Sequence, residues 1–350
     1  MGWEKSVFIE KYRPQRLDDI VGQDHVVKWL KAFVKHGDFP NLLFVGQPGT
    51  GKTTAAIVLA KELYGKNWVH NFMEINASDE TGVDTVRTKI KDYANIVPYG
   101  GAKFKILLLD EADYLTPNAQ AALRRVIEKA SDVCRFIFSC NYPNRIISAI
   151  SDRCAVFRFK PLSTFHLKRL IQTVCEKEGI KITPEAANML AIKSKGSART
   201  ALNLLNTLKF GGINSVDRNV VYNVIGMVDY YQICQLYQLL KMADDFKKVD
   251  TQLMRLLFDR CYTPDEILEN MVEIIKEDDK VEDSTKLNLI KWVSEIDYRI
   301  SQGANPYVQL KALMVIMREE LGKGGKVSTS PEDIPHLSST PFPSPKSSSH

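Results

Sequence analysis

Four short, continuously apolar runs, at residues 41–45, 72–75, 105–109 and 135–139, are separated by longer stretches with helical spacing, such as 53–64 and 119–129. Nothing else in the chain constrains its fold as strongly. An unbroken apolar run of four or five residues has no polar side, so both of its faces must be covered. That is the situation of a parallel strand flanked by helices. Strands alternating with helices predict an α/β fold with a doubly wound parallel sheet over residues 1–160. Beyond Pro161 the pattern is helical only, from residue 164 to about 228, and a further helical block runs from about 230 to 321. We therefore expect a helical domain at 161–228 and a second, all-helical domain at 229–321. Residues 322–350 hold five prolines and eight serines and almost no large apolar side chain. Such a segment cannot bury enough surface to offset its chain entropy, and we expect it to be disordered.

The first apolar run ends on a glycine-rich loop, Gly46-Gln47-Pro48-Gly49-Thr50-Gly51-Lys52-Thr53, which fits G-x-x-x-x-G-K-[ST] throughout and leads into a helical stretch. Glycines let the backbone curl so that its amides point at phosphate oxygens, and the following helix N-terminus adds positive potential. Lys52 is expected to reach the β and γ phosphates, and Thr53 to bind Mg²⁺ through its hydroxyl. Thr54 is placed with the nucleotide-binding residues. The third apolar run ends in Asp110-Glu111-Ala112-Asp113. Carboxylates at the C-terminal end of a buried strand call for a cation or a polar cleft, and open α/β sheets bind ligands at that end. Asp110 is read as a Mg²⁺ ligand and Glu111 as the group that polarises the water attacking the γ-phosphate. A solvated helix cap would use the same residue types, but a complete phosphate loop upstream favours the catalytic reading.

Composition narrows the remaining classes. The chain of 350 residues is 44% hydrophobic, enough for a real core, and its net charge of +5 does not by itself mark a nucleic-acid binder. Six cysteines form no C-x-x-C pair and six histidines are scattered, so neither a zinc site nor a redox motif is expected, and the thiols suit a reducing compartment. No run of 18 apolar residues exists, and Met1 to Phe8 carries charge without an apolar core. We expect neither a membrane span nor a signal peptide.

Several boxes resemble the replication factor C small subunits, which are AAA+ clamp-loader ATPases. They are Glu10-Lys11-Tyr12-Arg13-Pro14, Val21-Gly22-Gln23, Asn76-Ala77-Ser78-Asp79-Glu80, Asp110-Glu111-Ala112-Asp113, Ala122-Leu123-Arg124-Arg125, Ser139-Cys140-Asn141-Tyr142 and Phe157-Arg158-Phe159. Their order and spacing match over residues 8–210, with a weaker match near Gly303-Ala304-Asn305. The stretch 63–76 is closer to archaeal members than to eukaryotic ones. The resemblance implies an AAA+ nucleotide domain, a helical lid at 161–228 and a helical collar at 229–321. It also implies positions for individual roles. Asn141 matches the sensor of the γ-phosphate or attacking water, Arg199 the second sensor on the lid, and Arg153 the arginine finger that reaches a neighbouring subunit's ATP. Tyr12, Arg13 and Val21 stand where family members hold the adenine end. Arg87, Lys89 and Lys91 lie on a helix that tracks DNA phosphates, although the same charges also suit a plain solvated face. The implied cofactors are ATP and Mg²⁺. The implied partners are small and large replication factor C subunits in a pentamer, the sliding clamp (PCNA) and primer–template DNA bound without sequence specificity. The implied location is the cytoplasm for an archaeal chain and the nucleus for a eukaryotic one.

Three positions depart from the family pattern. Asp152 precedes Arg153 where serine is usual, and its carboxylate could pair with that arginine. Ser197 replaces the acid of Gly-Asp-x-Arg. Gln47 replaces a proline in the phosphate loop. Three other functions compete. A branch-migration motor would share the nucleotide site but add a winged helix, and no strand pair is visible in 230–321. An unfoldase would carry an aromatic–glycine pore loop; Tyr99-Gly100-Gly101 fits superficially but also reads as a turn before a strand. A non-catalytic scaffold would not need Lys52, Thr53, Asp110, Glu111 and Asn141 together.

Overall fold

The computed structural model describes residues 7–78, 83–225, 230–242, 245–260 and 262–322. It divides into two compact units, Met1–Ile225 and Gly226–His350.

Unit 1 is built on a five-stranded sheet in the order β2-β3-β4-β1-β5. Its strands are β1 (Leu42–Gly46), β2 (Phe72–Asn76), β3 (Lys105–Asp110), β4 (Cys134–Cys140) and β5 (Ala155–Phe159). Every neighbouring pair is parallel. Side chains alternate across the sheet, as the two-residue period of a strand requires. Leu43, Val45, Leu107, Leu109, Phe136 and Phe138 enter one core. Leu42, Phe44, Ile106, Leu108 and Ile137 enter the other. With both faces buried, nothing selects a polar alternation, and this is why the strands read as continuous apolar runs. The fifth strand was not among those runs. Val156 and Arg158 on β5 are exposed, and Arg158 breaks its apolar pattern.

The helices of unit 1 begin with α1 (Phe8–Lys11), α2 (Asp24–His36) and α3 (Lys52–Tyr64). Short α4 (Trp68–Asn71), α5 (Val83–Asn95), α6 (Pro117–Lys129) and short α7 (Ser148–Ser151) follow. Ala55, Ala56, Val58, Leu59 and Ala60 of α3 fill the core beneath β1 and β3, while Ile90 and Ala94 of α5 and Leu123 and Ile127 of α6 fill the other. Then come α8 (Thr164–Glu178), α9 (Pro184–Lys193), α10 (Ala198–Phe210) and α11 (Arg218–Ile225). Their starts are locally encoded. Thr116, Ser163, Thr183 and Ser197 each accept a hydrogen bond from the backbone N–H three residues on, and Pro117 and Pro184 occupy first turns. The expectation of helix alone after residue 164 needs one correction. Two-residue strands β6 (Lys181–Ile182) and β7 (Ser215–Val216) pair in parallel. They are too short for any periodicity to show, and they form because α8 and α10 end close enough for the loops to exchange backbone hydrogen bonds.

Unit 2 is helical throughout its described residues. It comprises α12 (Tyr230–Met242), α13 (Phe246–Met254), a π-helical turn at Arg255–Asp259, α14 (Pro264–Glu277), α15 (Asp283–Ser301) and α16 (Pro306–Gly322). The core gathers around Trp292, which is fully buried among Leu236, Leu268, Met271, Leu289 and Leu310. Thr263 and Glu266 form a reciprocal capping box at the start of α14. No strand appears among the described residues of unit 2. The serine- and proline-rich segment, expected to be disordered, lies outside the described residues from 323 onward.

No helix of the described residues is long and apolar enough to cross a membrane, and no three His, Cys, Asp or Glu side chains cluster as a metal site. Cys134, Cys140 and Cys175 are buried, and Cys154 and Cys234 are half-buried; all five are free thiols. Burial pushes Cys134, Cys140 and Cys154 up to about 12, so these thiols are inert. Cys261 lies outside the described residues. Tyr99–Gly101 forms a tight turn before β3. The Asn71 side chain accepts from the Tyr99 N–H at 2.8 Å and donates to its carbonyl at 3.1 Å, which makes this a pinned turn at β3's entrance.

Candidate active site

The C-terminal ends of β1, β3 and β4 meet at a cleft of about 440 Å³. β1 lies between β4 and β5, so the connection order reverses beside it. This is the crevice where open parallel sheets bind ligands.

The loop from β1 to α3 turns through Gly49 (φ +76°) and Gly51 (φ +100°), left-handed conformations that favour glycine. It is also tightly packed. A Cβ on Gly46 would lie 2.5 Å from the Phe159 carbonyl oxygen, and one on Gly49 would collide with the Ser197 hydroxyl. The N–H of Ala198 donates to the Gly49 carbonyl at 3.0 Å, which joins the loop to the start of α10. Ser197, the departure from the family acid, caps α10 by accepting from Thr200 N–H at 3.1 Å. An aspartate would accept the same bond, so the helix start is kept.

Lys52 is 7% exposed, and its ammonium donates to the carbonyls of Gly46 (2.7 Å) and Gln47 (3.0 Å) and to Asn141 Oδ1 (2.9 Å). Burial holds its pKa below the ordinary lysine value, and the nearby Asp110 charge opposes that shift. A desolvated ammonium held by three neutral oxygens is suited to an incoming phosphate. The Thr53 hydroxyl donates to Asp110 Oδ2 at 2.5 Å. These two hard oxygens at the phosphate end of the cleft are the donor set that suits Mg²⁺. Asp110 Oδ1 accepts from the Glu111 N–H at 3.0 Å. Glu111 has φ +54° and ψ +38°, a left-handed conformation that costs a non-glycine residue about 1 kcal/mol. Glu111 lines the cleft from this turn.

Other sequence-predicted residues fall as follows. Pro48, Thr50, Thr54, Tyr12, Arg13, Val21, Asn141 and Arg199 line the same cleft, whereas Gly46 and Gln47 lie beneath it as acceptors for Lys52. Tyr12 donates to Glu178 Oε1 at 2.6 Å, and Lys11 pairs with the same oxygen, so the segment carrying both is fastened to α8. Arg153 is not in the cleft. It is exposed, and its partners are Ala149 O (2.8 Å) and Glu128 Oε1 (2.7 Å) rather than the adjacent Asp152. Lys89 and Lys91 are exposed on α5, and the Arg87 side chain lies outside the described residues.

Two residues of the site carried no predicted role. Gln23 is fully buried; its Nε2 donates to Lys160 O (2.7 Å) and Thr50 O (3.3 Å), and its Oε1 accepts from Lys160 N–H (3.1 Å). It ties the phosphate loop to the end of β5. Asp113 Oδ2 accepts from the N–H groups of Asn141 (3.3 Å) and Tyr142 (3.1 Å), which fixes the end of β4 beside β3. Both residues lie in recognisable boxes, but their bonds join segments far apart in sequence. We predict that Gln23→Leu, which removes the partner of the buried Thr50 carbonyl and of the part-buried Lys160 N–H and carbonyl, costs about 3 kcal/mol. Thermal unfolding monitored by circular dichroism should show a midpoint lower by about 5 °C or more.

The comparisons agree with this geometry. The ATPase family associated with various cellular activities (AAA) matches residues 42–162, and the replication factor C C-terminal domain matches residues 231–315. The replication factor C small subunit of Archaeoglobus fulgidus is 44% identical over 313 residues, covering 89% of this chain and 97% of that protein. The chain belongs to the replication factor C small-subunit family. A second archaeal member, from Methanococcus vannielii, is 42% identical over 89% of this chain and 98% of its own length. Among solved structures, the Thermotoga maritima RuvB Holliday junction branch migration motor superposes with a TM-score of 0.52 at 19% identity, over 74% of this chain and 91% of that one. That likeness is one of fold. A replication factor C small subunit is an AAA-type, nucleotide-binding ATPase. The sheet and cleft of unit 1 carry that part of the family, and the helices of unit 2 carry the C-terminal part.

Proposed function

We propose that this chain is an ATP-hydrolysing small subunit of a pentameric clamp loader, in which it joins other small subunits and a large one to place the sliding clamp (PCNA) on primer–template DNA. The reading is supported above all by one arrangement: Lys52, Thr53, Asp110, Glu111 and Asn141 converge at the strand ends of one cleft in a chain of this family. ATP lies with its adenine end at Tyr12, Arg13 and Val21 and its phosphates against the amides of residues 46–53. Lys52 exchanges a carbonyl partner for the β and γ oxygens. Thr53 and Asp110 would hold Mg²⁺, which would supply positive charge against the phosphates. Glu111 accepts a proton from a water as its oxygen attacks the γ-phosphorus, and the bond to the ADP oxygen breaks. Asn141 and Arg199 sense the γ-phosphate from either side. Arg153 acts in trans, its guanidinium stabilising the phosphoryl charge at a neighbour's site.

In this reading residues 1–160 are the nucleotide domain, 161–228 the lid, 229–321 the oligomerising collar and 322–350 a loose tail. Arg87, Lys89 and Lys91 contact DNA phosphates, which demands charge and geometry but no base sequence. The location is the cytoplasm if the chain is archaeal, a reading its archaeal relatives support, and the nucleus if it is eukaryotic. The test is steady-state ATPase of the assembled complex with primer–template DNA, with the clamp, and with both. Turnover is expected to rise with each addition and to lose the DNA increment as salt is raised. Turnover indifferent to both would refute the clamp-loader reading while leaving the ATPase intact.

A further inference from the structure

The guanidinium of Arg153 is held from two directions. Nη1 donates to the Ala149 carbonyl at 2.8 Å, within short α7, and Nη2 donates to Glu128 Oε1 at 2.7 Å, in the last turn of α6. The same Glu128 oxygen takes the Nε of Arg124 at 3.3 Å, one turn earlier on α6. One carboxylate oxygen therefore serves two arginines, and Arg124 holds the Glu128 side chain from its own helix. Asp152, next to Arg153 in the chain, is not the partner.

We propose that Glu128 is the positioning residue that presents Arg153 to the neighbouring subunit's nucleotide, an inference that rests on the trans role of Arg153. A guanidinium carries five N–H donors in a fixed plane. Contacts on two different nitrogens set the orientation of that plane and leave the remaining donors for a phosphate oxygen. An arginine on a free four-bond stem would have to find that orientation at each encounter. Two arginines against one carboxylate leave the cluster with an excess positive charge, which suits an approaching polyphosphate. All three side chains are partly exposed, so the ion pairs contribute little to folding, and their removal acts on geometry rather than on the fold. Glu128 does not touch the nucleotide; it acts through Arg153.

The experiment is DNA-stimulated ATPase of the complex with Glu128→Ala, Glu128→Gln, Arg153→Ala and the Glu128→Ala/Arg153→Ala double substitution, beside binding of a fluorescent ATP analogue. Glu128→Ala should lower kcat about ten-fold, as misplacement of a reacting group does, with KM and analogue binding unchanged. Glu128→Gln keeps the acceptor oxygen and should recover most of the rate. The double variant should be no slower than Arg153→Ala alone. Mixing Glu128→Ala with Lys52→Ala chains should restore turnover, because Lys52→Ala subunits supply a well-placed Arg153 to the intact sites of the others; a misfolded Glu128→Ala chain would not be rescued. Wild-type turnover in Glu128→Ala, with Arg153→Ala inactive, would overturn the positioning role and spare the trans role. Faster turnover in Glu128→Ala would overturn it too, making the pair a restraint instead. Full activity in Arg153→Ala would remove the trans reading itself.

Discussion

Glu111→Gln should lower ATP turnover by about two to four orders of magnitude, the usual contribution of a positioned general base, while nucleotide binding is retained. The amide has the size of the carboxylate and keeps a carbonyl oxygen for orienting water, but it cannot take the proton. The backbone is not expected to move, because the left-handed turn at Glu111 is held by its N–H bonded to Asp110 at 3.0 Å, a contact that does not involve the substituted group. Steady-state ATPase and equilibrium binding of a fluorescent analogue, measured on the same preparation, check both halves. A variant that binds weakly as well as turning over slowly would mean that Glu111 helps to hold the nucleotide. A variant hydrolysing at the wild-type rate would move the base elsewhere in the cleft.

Arg153→Ala should be comparably damaging, by about three orders of magnitude in kcat, the lower range for a supplied arginine finger. The fold gives this prediction its particular form. Arg153 lines no part of its own chain's cleft and is exposed beside α6, so its loss cannot act on its own nucleotide by contact. Mixing Arg153→Ala with Lys52→Ala chains should then recover activity that neither has alone, since each intact cleft can receive a neighbour's intact arginine. Wild-type turnover independent of protein concentration, together with a mixture that stays inactive, would confine each site to one chain.

How much of this was readable beforehand follows from the distance along the chain over which each feature is specified. Four of the five strands, α3 and α6 were legible because a buried strand and an amphipathic helix are contiguous patterns. β5 was missed because its outer residues, Val156 and Arg158, are exposed at the edge of the sheet. Paired strands β6 and β7 were missed because two residues have no period to detect. The phosphate loop was legible for the same local reason: eight consecutive residues specify both the turn and the helix that follows. Asp110 and Glu111 were legible because acids directly after an apolar strand are anomalous.

The sequence by itself therefore determined the α/β class, the helical remainder, the nucleotide loop and the acidic strand end, all written in neighbouring residues whose periodicity and conformational preferences act without the rest of the fold. Only the tertiary structure decided which groups meet. Lys52 with Asn141, Gln23 with Lys160, Asp113 with the Asn141 backbone and Arg153 with Glu128 each join segments 25 or more residues apart. Asp152 was the natural partner for Arg153 by adjacency, but a side chain's partner is set by where helices pack, and burial of α6 against the sheet brings Glu128 there instead.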